Sequence, residues 1–313
     1  MSAVPGILSH QQQMDLARFN RNRLVPAVAG DPDWRTALER EHHARLAEHA
    51  FIEDARTAVA PLLDAVPDEA DAFVAWFEDL KRDGPGQYDP LFPYLAEKAD
   101  LAQMRWFLRQ EVAGEAGFED LVALTQLRLP DRPKLEMARN FWDEMGRGNA
   151  RGMHGPMLAR LADHLGLDTM PDPVVAEALA LANLMVGLAA NRRYAYQSIG
   201  ALGVIELTAP TRAPFVDAGL RRLGLAAGTR HYFTLHATLD VRHSAAWNHE
   251  VLLPLVADNP ACARPIAEGA LLRLWCGARC FERYRRHFAA MGARFREGAG
   301  QPPATAGELH TLA

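Results

Sequence analysis

Residues 230–251 read RHYFTLHATLDVRHSAAWNHEV, and the rest of the chain is best understood from three of them: His236, Asp240 and His243. On an α-helix, residues three and four apart share a face. His236-x3-Asp240-x2-His243 therefore lines up two imidazoles and a carboxylate along about two turns of one side. Imidazole combined with carboxylate suits iron, manganese or zinc. Leu235, Leu239 and Val241 make the neighbourhood apolar, where polar groups without partners are costly. A polar helix face with two chance histidines would look the same in isolation. His231 and His249 fall outside the spacing and read as surface residues or as residues standing behind ligands.

Working outward, the chain reads as helical almost throughout. Ala, Leu, Arg and Glu dominate, and alternating β-branched runs are scarce. The expected helical segments are 9–25, opened by Ser9 as an N-cap, then 33–64 from Asp33 and 68–83 from Asp68. They continue with 98–128, 131–148, 153–166, 172–208, 213–223, 229–257 and 261–295. The Gly- and Pro-dense run KRDGPGQYDPLFP at 81–93 interrupts them. Residues 1–87 thus read as an N-terminal helical annex packed on the core, 88–296 as the functional domain, and 297–313 as a flexible tail of small polar residues. The fold class is all-α, a helical bundle with ligand residues projecting inward.

Bulk properties narrow the function. The 313 residues carry a formal net charge of −5, with a pI near 6.2, which argues against nucleic acid or an anionic membrane as partner. No apolar run approaches the ~20 residues of a spanning helix. The start, MSAVPGILSHQQQ, lacks the basic and apolar regions of a secretory signal. The three cysteines, Cys262, Cys276 and Cys280, are an odd number and read as reduced thiols. Together these features predict a cytoplasmic protein.

Further ligand candidates appear where carboxylates sit among apolar residues. Glu206 lies in IGALGVIELTAP (199–210), and a carboxylate buried there needs a partner or a metal. Otherwise it is a helix-end Glu reaching solvent before Pro210. Glu111 follows Met104, Phe107 and Leu108 at helical spacing and extends an apolar stripe; Glu115, one turn later, could replace it, and either could be a solvated helix charge. Glu144 and His154 flank the glycine-rich run Gly146-Arg-Gly-Asn-Ala-Arg-Gly152. That run lacks both a preceding strand and a Gly-Lys-Ser/Thr ending, so it is not a phosphate loop. The four carboxylates and three imidazoles of Glu111, Glu144, His154, Glu206, His236, Asp240 and His243 are more than one metal needs and suggest two. The paired Glu-x-x-His motifs of ferritin-like proteins are missing. Arg192 and Arg242 are candidates for a bidentate clamp on a substrate carboxylate.

With these residues in place, residues 88–290 resemble the haem-oxygenase-like dimetal oxidases and oxygenases, the iron-containing redox enzyme family. The resemblance rests on Phe107-Leu-x-Gln-Glu111, on Arg139-Asn-Phe-Trp-Asp-Glu-Met-Gly-Arg-Gly148 with His154, on Ile199-Gly-x-Leu-x-x-x-Glu206, and on His236-x3-Asp240-x2-His243 with Trp247. It implies a haem-oxygenase-like seven-helix bundle that binds no haem, preceded here by extra N-terminal helices. It implies two Fe(II)/Fe(III) ions on the seven residues named above, with Glu144 and Asp240 central to catalysis and O2 as co-substrate. The implied reaction runs through a peroxo-diferric intermediate and oxidises a small molecule, an amino acid or derivative, by desaturation, C–H oxidation, cyclisation or N-oxygenation in specialised metabolism. An external reductant and a homodimer are compatible with it. The alternatives are a fatty-acid oxidase or decarboxylase with the same site, a non-catalytic ligand-binding helical protein, and a related hydrolase that would need a cysteine facing the pocket.

Overall fold

The computed structural model describes residues 8–26, 33–115, 117–167 and 173–295. Within them the chain is helical and contains no strand, as the sequence predicts; Met145 and Met153 form an isolated antiparallel bridge. The expected tail at 297–313 lies outside the described residues. In chain order the helices are α1 (His10–Leu24), α2 (Trp34–Val59), α3 (Ala70–Asp83), α4 (Leu91–Glu97), α5 (Leu101–Glu115), α6 (Phe118–Thr125) and α7 (Asp131–Glu144). They continue with α8 (His154–His164), α9 (Ala176–Ala190), α10 (Ala195–Arg222), α11 (Ala227–Ala246), α12 (Leu253–Asp258) and α13 (Ala263–Ala290). Ser9 caps α1 through a reciprocal pair with Gln12, and Asp33 accepts from the Thr36 amide at the start of α2.

The centre is built from α9, α10 and α13. Helix α9 is buried nearly all round, which matches its apolar run from Ala178 to Ala189. Helix α10 packs against α4, α11 and α13. Its crossing with α13 is unusually close. A methyl built on Gly200 would lie 1.8 Å from the Ile266 carbonyl oxygen, and one on Gly269 would lie 1.7 Å from that of Gln197. Two helix backbones are therefore in contact, and only glycine permits it.

The N-terminal helices belong to the same core. Phe51 and Ile52 of α2 and Phe73 and Phe77 of α3 pack in one apolar cluster with Leu108, Leu184 and Leu271. Polar contacts fasten α1 and α2 as well. Glu48 is 0% exposed, and both its oxygens accept from the Arg23 guanidinium, at 3.2 and 2.5 Å, with Asn191 donating at 2.8 Å. Removing one partner would leave a buried charge uncompensated.

Two segment expectations need correction. The 172–208 and 213–223 segments are divided at Asn191, not near Pro210. Helix α10 then runs unbroken through Pro210 and Pro214. Proline removes a backbone donor and usually ends a helix. Side chains add hydrogen bonds to this stretch: Thr211 donates to the Thr208 carbonyl and Thr208 to that of Val204. Segment 98–128 is likewise two helices, divided at Gly117 with φ of +73°. After α11 the chain continues as a π-helical turn, Trp247–Leu252, that buries Trp247 against Gly203 of α10. Such turns often adjoin functional sites.

The α10–α13 contact generates a direct prediction. Gly200→Ala and Gly269→Ala should each lower the thermal midpoint by the equivalent of about 3 kcal/mol or more, because backbone cannot yield as a side chain can. Gly228→Ala, where an added methyl meets nothing within 4 Å, should be near neutral. Thermal unfolding of the three variants measures the difference.

Candidate metal centre

Helix α7 ends at Glu144 and α8 starts at His154. The glycine-rich loop between them folds back on itself, with Gly146 packed on Gly152 and the Met145–Met153 bridge closing its base. This brings the two flanking side chains together: His154 Nδ1 lies 2.6 Å from Glu144 Oε2, and both residues are buried. The loop thus holds a carboxylate against an imidazole.

Helices α10 and α11 supply the opposite wall. His243 directs Nδ1 toward Glu206 Oε2 at 3.4 Å, and its Nε2 lies 3.1 Å from Asp143 Oδ2. Asn140 donates to the other Glu206 oxygen at 2.6 Å. His236 places Nδ1 2.7 Å from the Tyr232 carbonyl oxygen, so Nδ1–H donates there and Nε2 is left free to bind. The His154 and His236 rings meet edge to face, with centroids 4.7 Å apart. Two donor groups result, each with its atoms within 4.8 Å of one another: Glu144, His154 and His236, and Glu144, Glu206 and His243. Asp240 is buried beside them, and its charge interacts with those of Glu206 and Glu144.

Helix α5 offers two carboxylates, one turn apart, on the wall of the same cavity. Glu115 hydrogen-bonds Tyr232, and the charges of Glu144 and Asp240 act with its own. Glu111 instead hydrogen-bonds Tyr284 and feels Arg212 and Arg273. The α5 carboxylate beside the cluster is therefore Glu115, one turn beyond the Glu111 expected from the sequence. The apolar periodicity there marked both positions and could not tell which end of the cavity each would face.

The two arginines expected as a substrate clamp are elsewhere. Arg192 donates to the carbonyls of Thr125 and Leu127, tying down the end of α6, and Arg242 points to solvent. The cavity is lined instead by Arg212 and Arg273. Sequence reading also passed over Asp143, Asn140 and Tyr232, which orient ligands or line the cavity, and Glu119, whose carboxylate lies at the start of α8 and acts on His154. Asp143 stands next to Glu144 in an otherwise polar helix end, so nothing local distinguished it. Val241 is 57% exposed; the dryness around Asp240 comes from other helices.

Burial governs the charges in the metal-free chain. It pushes the Glu144 and Asp240 carboxyls well above their usual range, reinforced by Glu206 in each case. It raises Glu115 to about 8, with Glu144 next in importance. His154 and His236 are pushed down to about 4, again chiefly by burial. Burial works against protonation of His243 too, but its hydrogen bond to Glu206 and the surrounding carboxylates prevail and raise it to about 9. A cation fits this set. Asp240 Oδ1 is buried with no hydrogen-bond partner, and imidazole with carboxylate is a donor set that suits iron.

Two outcomes follow. Titrating the metal-free chain with Co(II) near pH 7 should release protons, since protonated carboxyls must ionise to ligate, and affinity should fall steeply on acidification; unbuffered pH-stat titration measures the release. Stability should also depend on pH. Glu115 titrates at about 8 folded against 4.5 ordinarily, so its contribution is complete below 4.5 and lost as pH rises through 8. His154 runs the other way: its contribution is complete above 6.5 and lost as pH falls through 4. In urea unfolding of the metal-free chain, Glu115→Gln should reduce the alkaline loss, which Glu144 and Asp240 share, and leave the acid limb in place.

The profile of the iron-containing redox enzyme family matches residues 105–278, more than half of the chain. No curated protein matches the sequence significantly. Among solved structures, a CADD-like protein of unknown function from Nostoc punctiforme PCC 73102 is similar in two crystal structures. One has a TM-score of 0.54 at 17% identity and covers 68% of this chain and 95% of that one. The other has a TM-score of 0.53 at 15% identity and covers 71% and 96%. At that identity the likeness is one of fold. No helix among the described residues is long and apolar enough to cross a membrane. The matched span contains all seven residues expected as ligands, and on that match the chain belongs to the iron-containing redox enzyme family, with the haem-oxygenase-like all-α fold expected from its sequence.

Proposed function

We propose that the cluster holds two iron ions and that the protein uses them with O2 to oxidise a small organic substrate in the adjoining cavity. The observation that carries this reading is the sharing of Glu144. It belongs to both donor groups, one completed by His154 and His236 and the other by Glu206 and His243. A carboxylate common to two donor groups would serve two cations better than one. Asp240 and Glu115 complete the set from α11 and α5.

Bound Fe(II) supplies electrons and open coordination positions for O2. The chain's own residues do the rest. Asp143 and the Tyr232 carbonyl fix the rings of His243 and His236, and Asn140 holds one oxygen of Glu206 so that the other faces inward. The cavity, about 130 Å3, is walled by Phe118, Leu158, Leu181, Ile205, Phe233 and Phe281, which exclude water from the reacting end. Its partners in this reading are a small molecule such as an amino acid or fatty acid and an external reductant, in a cytoplasmic setting. A thiol-dependent hydrolase is disfavoured. Cys276 and Cys280 are buried, burial pushes the Cys276 thiol up to about 12, and no cysteine lines the cavity among the described residues.

Anaerobic Fe(II) titration followed by mixing with O2 tests the reading. About two irons per chain and rapid O2 consumption are expected. Glu144→Ala should disturb both positions and abolish O2 consumption, and Asp240→Ala should reduce it severely. Two tightly held irons and undiminished O2 consumption in both variants would overturn the assignment.

A further inference from the structure

The metal cluster accounts for only part of the cavity wall. Away from it, α10 and α13 contribute Arg212 and Arg273. Placing two cations in one largely apolar cavity is costly unless each finds a partner. Neither forms an ion pair among the described residues. Arg212 donates from Nη2 to the Thr208 hydroxyl at 2.7 Å, and Nη1 of Arg273 is buried with no hydrogen-bond partner. The two charges oppose each other; burial first and Arg273 second pull Arg212 down to about 10, while Glu111 works the other way. Glu111 does not neutralise the pair: its hydrogen bond goes to Tyr284, and burial pushes its carboxyl up. At the end of the cavity away from the metal ligands, two positive charges therefore face the single carboxyl of Glu111, with a guanidinium donor unspent.

We propose that Arg212 and Arg273 are the receptor for a substrate carboxylate, and that the substrate's aliphatic body runs from there along the apolar wall to the metal ligands. The inference rests on the dimetal reading for what lies at the far end, and names the class of substrate that site would take. Glu111 faces the arginines and Glu115 the cluster, and one helical turn of α5, about 6 Å between Cβ atoms, separates the two carboxylates. A short chain bridges that distance. The carboxylate could belong to a simple acid or to an α-amino acid. Glu111, beside the arginines and otherwise bonded only to Tyr284, is placed to accept an α-ammonium in the second case.

Calorimetric titration of the full-length, metal-free chain with hexanoate, hexanamide and 2-aminohexanoate separates these outcomes, because without metal a carboxylate cannot simply ligate iron. Hexanoate or 2-aminohexanoate should bind at least about tenfold more tightly than hexanamide, the scale of a charge-assisted hydrogen bond. That preference should disappear in Arg273→Gln and in Arg212→Gln, while the Co(II) stoichiometry of each variant stays at the wild-type value and reports an intact fold. An amino-acid advantage over hexanoate that Glu111→Gln removes identifies an amino acid; tighter hexanoate identifies a simple acid. Both support the receptor. Equal affinity for acid and amide in the wild-type chain, including no binding of any of the three, overturns it, as does a preference that survives both arginine substitutions. Failure of Co(II) to bind the wild-type chain would count against the dimetal reading alone.

Discussion

Polar groups of one chemical kind crowd around a cavity that water scarcely reaches, and the molecule is arranged to tolerate them. Glu115, Glu144, Glu206 and Asp240 face one another with His154, His236 and His243 among them. Without a cation Glu115, Glu144 and Asp240 are pushed toward their protonated forms and His154 and His236 toward their neutral ones, because a cluster of naked charges in low dielectric is unaffordable. Five helices converge to hold it: α5, α7, α8, α10 and α11. The apolar shell contributed by α9, α13 and the N-terminal helices keeps the cavity dry and the residues around the ligands fixed. An orphaned carboxylate oxygen on Asp240, and imidazoles held against carboxylates, are poor features for stability and good ones for binding a metal.

The readable part of the sequence was what depends on local spacing. The 3.6-residue period put His236, Asp240 and His243 on one face, and the pair Glu144 and His154 stood out because glycines separated them. Ser9 and Asp33 could be recognised as caps from their immediate neighbours. What escaped was set by helices far apart in sequence. The choice between Glu111 and Glu115 depends on where α13 places Arg273 and α11 places Tyr232, more than a hundred residues away. Asp143 matters only because His243 arrives opposite it. Arg212 and Arg273 read as ordinary helix charges until α10 and α13 turn them inward. Arg192 was a reasonable candidate by sequence distance from Glu206, but the break at Asn191 swings it toward α6.

Proline gave the most misleading local signal. Pro210 stands four residues after Glu206, where a helix end would have exposed that carboxylate to water. Instead α10 continues, Glu206 stays buried in mid-helix, and Arg212 follows within two turns on the cavity side. A single long helix thereby carries a member of the metal cluster and a cation at some distance from it. Their relative position is fixed by helical geometry and does not depend on how a loop folds.

The close α10–α13 approach at Gly200 and Gly269 has a consequence for how such a site can change over evolutionary time. Where two helices touch backbone to backbone, their separation is set by atoms that every residue type shares, and no exchange of side chains can tune it. The scaffold that positions Glu206 is thus decoupled from the surface that would meet a substrate. Wall residues such as Ile205, Phe233 and Phe281 are free to vary in bulk and polarity without altering the spacing of the donor atoms. The protein separates the part that must remain constant, the distances within the cluster, from the part that can drift, the shape of the space beside it.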